Sequence, residues 1–251
     1  TSNSAVGAFS LLSNTTGNQN TAIGQNSLDA NTTAADNTAV GFSALGANTT
    51  GTLNTAMGAG ALDANTTAND NTGIGAASMG GNTTGTRNTA VGSDSLKVST
   101  TGNDNTAIGK GALTANTTAS NNTAVGKNSL TTNTTGANNT SVGKDALLSN
   151  TTGANNTALG FAALDAAILP SSNTSIGSAS LSVNVHSSQN TAVGSNSLES
   201  HNLGSAGNGL NTAVGYNSGL AVTTGIENTL MGALAGDALT DADFNVAVGY
   251  Q

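Results

Sequence analysis

Every seventeen residues the chain returns to the same phrase. Asn122-Thr-Ala-Val-Gly126 comes back as Asn139-Thr-Ser-Val-Gly143, and the Asn that opens it falls at 3, 20, 37, 54, 71, 88, 105, 122, 139, 156, 173, 190, 211, 228 and 245. The first eleven intervals are all 17; Asn190 to Asn211 is 21, and the last two return to 17. So short a period excludes paired helices, whose repeats need roughly 33 residues or more. It predicts an all-β fold, a parallel β-solenoid (β-roll) of 17-residue coils, each with two or three short strands and stacked on its copy. One array of about fifteen such coils is expected over residues 1–251.

With the opening Asn as position 1, each fixed residue has a mechanical reading. Position 5 is Gly in every copy, position 4 is aliphatic or Met, and position 3 is small except at Leu230. Position 9 is Leu or Met from Leu11 to Leu198, and positions 12 to 14 read Asn-Thr-Thr in eight copies. The Asn and Gly mark turns, as at Asn122, Gly126, Asn139 and Gly143, because Gly accepts positive φ and Asn bonds its own backbone. Asn side chains stacked in register are also expected to bond one another from coil to coil. The position-4 aliphatic and position-9 Leu are expected to form a thin core: Val125, Leu130, Val142 and Leu147. Neighbours in a strand face opposite sides, yet positions 3 and 4 are both apolar. The strand is therefore expected to be covered twice, inside by its own coil and outside by the same stripe of another copy, which predicts a homo-oligomer.

Composition narrows the functions. Five Lys and Arg in a chain of net charge −8 exclude a nucleic-acid partner, since phosphate binding needs clustered basic residues. No apolar run of about 18 residues is present, so no membrane insertion is expected. With no Cys there is no disulfide framework and no thiolate metal site, which fits an extracellular protein. No signal peptide is visible.

The phrases "NTAVG..SL" and "NTAIG..AL" resemble the head repeats of trimeric autotransporter adhesins, and still more the repeats of phage-type tail fibres. The likeness runs along the whole chain; the repeat here is longer by the Asn-Thr-Thr segment. The resemblance implies a left-handed β-roll, three chains wound about one axis, and a role in projecting or attaching from a cell surface or virion.

What varies between coils offers few sites. Position 6 holds Phe42, Lys110, Lys127, Lys144, Phe161, Tyr216 and Tyr250, the candidate contacts to a surface glycan or cell-surface receptor. Asp36, Asp70 and Asp104 share position 17 but lie two coils apart, about 10 Å, too far for one Ca²⁺. No metal and no cofactor is expected. His186 and His201 lie near serines, but no nucleophile elbow or phosphate loop accompanies them, so no catalytic residue is assigned and no enzyme is expected. The Asn-Thr-Thr triplets match the glycosylation pattern only because the repeat generates them. Irregular coils are expected at 164–172, around the lone Pro170, and at 199–210, where four residues are added. Opening on a repeat and stopping inside one, the chain reads as an excerpt of a longer protein. The functional expectation is a structural or adhesive fibre segment. Its alternatives are a self-assembling extracellular filament and an ice-binding solenoid that uses the threonine ranks at positions 2, 13 and 14.

Overall fold

The computed structural model describes residues 2–250. They fall into two compact units that divide between Asn122 and Thr123. Both are parallel β-solenoids of 17-residue coils, with no helix among the described residues.

In the first unit, strands β1 (Ser4–Val6), β2 (Thr21–Ile23), β3 (Thr38–Val40), β4 (Thr55–Met57), β5 (Thr72–Ile74), β6 (Thr89–Val91) and β7 (Thr106–Ile108) pair in sequence order. The register is one coil throughout: Thr38 opposes Thr55, Ala39 opposes Ala56 and Val40 opposes Met57. The second unit begins with β8 (Thr123–Val125), β9 (Thr140–Val142), β10 (Thr157–Leu159) and β11 (Thr174–Ile176). Its sheet then continues through β13 (Thr191–Val193), β15 (Thr212–Val214), β16 (Thr229–Met231) and β17 (Val246–Val248). The 21-residue interval is absorbed without loss of register, since Ala192 opposes Ala213. A second pair, β12 (Ser187–Ser188) with β14 (Gly207–Asn208), forms only beside the enlarged coil.

An ordinary coil thus holds one three-residue strand, not the two or three expected. The rest is turn, yet its backbone also bonds from coil to coil: Leu28 N–H reaches the Ala44 carbonyl at 3.1 Å and Thr32 N–H the Thr49 carbonyl at 3.2 Å. The turns come from four positions of positive φ, at 5, 7, 9 and 17. Around Asp145 they are Gly143 at 138°, Asp145 at 59°, Leu147 at 49° and Asn155 at 59°. Position 5 needs Gly for two reasons. Its φ near +130° suits no other residue, and a Cβ on Gly126 would meet the Gly143 carbonyl oxygen at 2.5 Å. Position 17 favours Asp and Asn because they tolerate the left-handed conformation. That is why Asp36, Asp70 and Asp104 recur there, with φ of 60°, 61° and 58°.

The interior is half polar. Leu28, Leu45, Leu62, Met79, Leu96 and Leu113 form a fully buried file in the first unit, as do Leu130, Leu147, Leu164, Leu181 and Leu198 in the second. Beside it run two buried files of Asn. Asn37 Oδ1 accepts the Asn54 backbone N–H at 2.9 Å, and Asn37 Nδ2 donates to the Gly51 carbonyl at 2.9 Å. Asn48, at position 12, donates to Asn31 Oδ1 at 3.1 Å and to the same Gly51 carbonyl at 2.9 Å. The position-15 carbonyl is thus held by two amides at once. Burying an amide unpaired costs about 1–3 kcal/mol, so these files stabilise only when stacked in register.

Two of the residues expected in the core lie elsewhere. Val125 and Val142 do not lie inside the coil; both are half-exposed on its outer side, while Ala124 and Ser141 point inward and are fully buried. The reason is room. With a Leu and two Asn per coil, the space left at position 3 admits about one methyl group: a Cβ on Gly73 would lie 3.2 Å from Leu62 Cγ. Leu230 is the exception that shows it. It fits at position 3 because position 9 has become Gly219 and Gly236, whose missing Cβ atoms would each lie 2.7 Å from Leu230 methyls.

Two outcomes follow from this packing. Where the position-12 file is broken by Ser99, Asn82 Oδ1 and Ser99 Oγ are buried without a hydrogen-bond partner. Ser99→Asn should restore the file and raise stability by about 1 kcal/mol in urea titration, while no gain would contradict the ladder. Gly219→Leu should destabilise by about 1–3 kcal/mol through overpacking and be rescued by Leu230→Ala, a coupling that a double-mutant cycle measures directly.

Candidate functional site

No pocket is present among the described residues, so any site is a surface. The surface that the fold builds most regularly is the outer side of the strand. Positions 2 and 4 share it, because position 3 points inward.

In the first unit the position-4 file runs Val6, Ile23, Val40, Met57, Ile74, Val91, Ile108 without a polar interruption. Ile23 is 42% exposed, Met57 43% and Ile108 41%, although each sits mid-strand in a sheet. The second unit repeats this through Val125, Val142, Leu159, Ile176, Val193, Val214 and Met231, with Leu159 at 46% and Met231 at 45%. Steps of about 4.8 Å make each file a continuous apolar ridge. Exposed apolar groups scattered singly need no explanation, whereas an unbroken row is a candidate contact surface. Beside the ridge stands a rank of threonines, Thr21 to Thr106 and Thr123 to Thr229, half-buried except for the exposed Thr140. Their hydroxyls bond nothing within the protein among the described residues.

The threonines at positions 13 and 14 differ. Thr32 Oγ donates to the Thr49 carbonyl at 3.2 Å and Thr49 Oγ to the Thr66 carbonyl at 3.1 Å, so that rank serves the backbone. Thr33, Thr50 and Thr67, one residue on, are exposed.

The position-6 residues all project outward, with Phe42 at 55% and Tyr216 at 56% exposed. Lys110 is exposed in the first unit, and Lys127 and Lys144 on consecutive coils of the second. Lys144 is already engaged: its Nζ lies 2.6 Å from Asp145 Oδ2 and 4.9 Å from the Phe161 ring centre. The Lys144 hydrogen bond, with help from Asn128, holds the Asp145 carboxyl below its usual range. Arg87 donates to Asp104 through Nε and Nη2 at 2.7 and 2.9 Å, which lowers the Asp104 pKa in the same way. Such exposed pairs contribute little to stability, because water screens them. Asp63 shifts upward, through partial burial and the nearby Asp29 carboxylate. No three of His, Asp and Glu converge as a metal would require among the described residues.

Of the two histidines, His201 does meet a serine: its Nε2 lies 2.9 Å from Ser187 Oγ. Both are fully buried and far from any opening, so the pair belongs to the interior. Sequence reasoning missed this, although His201 falls at position 12 of its coil, where Asn is the rule. Gly126 and Gly143 occupy the turns assigned to them, with φ of 129° and 138°. Asn122 and Asn139 do not, and are instead buried at the residue before the strand, where position 1 belongs to the amide ladder. Leu130 and Leu147 lie in the core.

The chain matches no protein-family model, no curated protein and no solved structure. The reading of the site therefore rests on its own geometry.

The inward and outward roles are separable by mutation. Val142→Thr, on the outer ridge, should change stability by less than about 1 kcal/mol. Leu147→Ala should cost about 2–5 kcal/mol in the same denaturation assay, and equal effects would contradict the two-sided assignment.

Proposed function

We propose that the chain is a non-enzymatic structural segment of an extracellular attachment fibre, projecting from a cell surface or virion, in which copies pack along the outer strand ridge. The observation that carries this reading is the unbroken aliphatic file of each unit, every member of it partly exposed or exposed on the outer side of the sheet. Covering such a row against its like stabilises by about 25 cal/mol per Å² buried. A regular row of one residue type is also self-complementary, as a contact between identical chains requires. A homotrimer is the arrangement implied by the resemblance to adhesin heads and tail fibres. On this reading the ridge is internal to the fibre. The outward position-6 residues, with Lys110, Lys127, Phe42 and Tyr216 among them, are what a surface glycan or receptor would meet.

One observation favours a second reading. The position-2 threonines carry hydroxyls that bond nothing in the protein, on a regular sheet face beside aliphatic groups, an arrangement suited to ordering ice-like water. The two readings use the same face and are exclusive. Thermal hysteresis at micromolar protein supports the ice reading, and its absence removes it.

Light scattering at several concentrations tests the fibre reading. The wild-type chain should form an oligomer, and Val125→Lys with Ile176→Lys should yield a folded monomer of 24.1 kDa, since both side chains point outward. A wild-type chain that is folded and monomeric at every concentration would overturn it.

A further inference from the structure

The coil that begins at Asn190 departs from the repeat twice. It carries four extra residues, and it places His201 at position 12, where most coils hold Asn. In an ordinary coil the position-1 amide donates to the carbonyl fourteen residues on, as Asn139 does to Gly153 at 2.9 Å. Here the added residues displace that carbonyl. Asn190 Nδ2 turns instead to the preceding coil, to Ser187 Oγ at 3.0 Å and the Ser188 carbonyl at 3.2 Å. His201 fills the gap: Nε2 lies 2.9 Å from Ser187 Oγ and 3.4 Å from Asn211 Nδ2. Gly209 passes directly over the ring, where a Cβ would lie 2.6 Å from Nε2.

The network fixes the tautomer. Asn211 Nδ2 can only donate. Ser187 Oγ already receives an N–H from Asn190, so its own hydrogen is free to point at the ring. Nε2 is therefore the acceptor and Nδ1 carries the proton. Nδ1 itself is buried and makes no hydrogen bond. A second proton would set an N–H at Nε2 against the Asn211 amide hydrogens and place a charge in a site of zero exposure.

No charged group nearby offsets that charge. The preceding coil presents Asn184 and Ser187, the enlarged coil its own Asn190, and the following one Asn211, Val222 and Thr223, all uncharged. Glu199, two residues before the ring, forms no ion pair among the described residues. His186 touches the added segment through its backbone carbonyl, which accepts from Gly207 N–H at 3.4 Å.

We propose that His201 is an acid-sensitive latch: neutral, it closes the enlarged coil in place of Asn, and protonated, it frees segment 202–209 from the coils on either side. The bonds released are Asn202 N–H to the Thr223 carbonyl at 2.8 Å, Gly209 N–H to the Ser188 carbonyl at 2.9 Å, and the β12–β14 pair. Burial moves the His201 pKa from its ordinary 6.5 down to about 4, opposed only by a backbone contact to Thr223. The sign follows. The closed state binds the proton less well than the open one, so closure weakens as pH falls below 6.5 and the loss is complete below about 4. The opening equilibrium should rise roughly 30-fold at pH 5 and on the order of 100-fold at pH 4 relative to pH 7 or above.

Hydrogen exchange on the full chain, corrected for the intrinsic pH dependence, tests this. Between pH 7 and pH 4 the amides of Asn202, Gly207 and Gly209 should lose protection by about those factors, while amides before residue 123 keep theirs. His201→Asn should remove the acid response, and His186→Asn should leave it in place. Unchanged protection of the wild type at pH 4, or an acid loss that persists in His201→Asn, would overturn the latch. Nitrogen NMR of the wild-type ring tests it without a variant. A bare Nε2 and a titration well below 6.5 support it, and a protonated Nε2 or a midpoint near 6.5 refutes it.

Discussion

The buried asparagine amide is the interaction on which the rest depends. In an ordinary coil the position-1 Asn spends its oxygen on the backbone N–H of the Asn seventeen residues later and its nitrogen on a carbonyl across its own coil, as Asn71 does with Asn88 at 3.0 Å and Gly85 at 2.8 Å. One amide therefore joins two coils and closes one. A slip of register would leave two buried polar files unpaired, at about 1–3 kcal/mol for each group. A chain with 7% charged residues and one Leu per coil has little else to define a single fold. The amide network gives it specificity that a larger apolar core would otherwise supply.

From that constraint the surface follows. Two amides and a Leu fill the coil, so position 3 is restricted to Ala, Ser or Gly, and the bulkier member of the strand turns outward. The apolar ridge is thus a consequence of a crowded polar interior. Ile23, Met57 and Leu159 remain apolar although the fold of one chain leaves them 42, 43 and 46% exposed, and the proposed packing of a second chain on this face would cover them. The enlarged coil is where the rule is bent: the carbonyl is displaced, His201 stands in for Asn, and the ladder gains a group that titrates.

Much of this was legible in the sequence. The 17-residue interval carried the coil and its register, the invariant Gly carried the turn, and Leu130 and Leu147 carried the core. The Asn files were legible because only stacking explains an Asn that recurs with so little around it. Three things were hidden. Which of two adjacent apolar residues faces inward cannot be read from a period of two when both are apolar, and size alone points to Val125 and Val142 rather than to Ala124 and Ser141. Leucines at φ near +50° run against their own preference, by about 1–2 kcal/mol each, and only packing makes them hold it. Leu230 and the glycines at 219 and 236 each looked like separate lapses of the repeat. They are one exchange of volume between files, visible only in three dimensions.

The most direct test of the central claim is a through-hydrogen-bond NMR coupling from each position-1 backbone amide nitrogen to a side-chain amide carbon. The account predicts a coupling from Asn54 to the side chain of Asn37, from Asn71 to that of Asn54, and so on at intervals of seventeen within each unit. Position-1 amides that couple to backbone carbonyls instead, or that exchange with solvent in seconds, would contradict it.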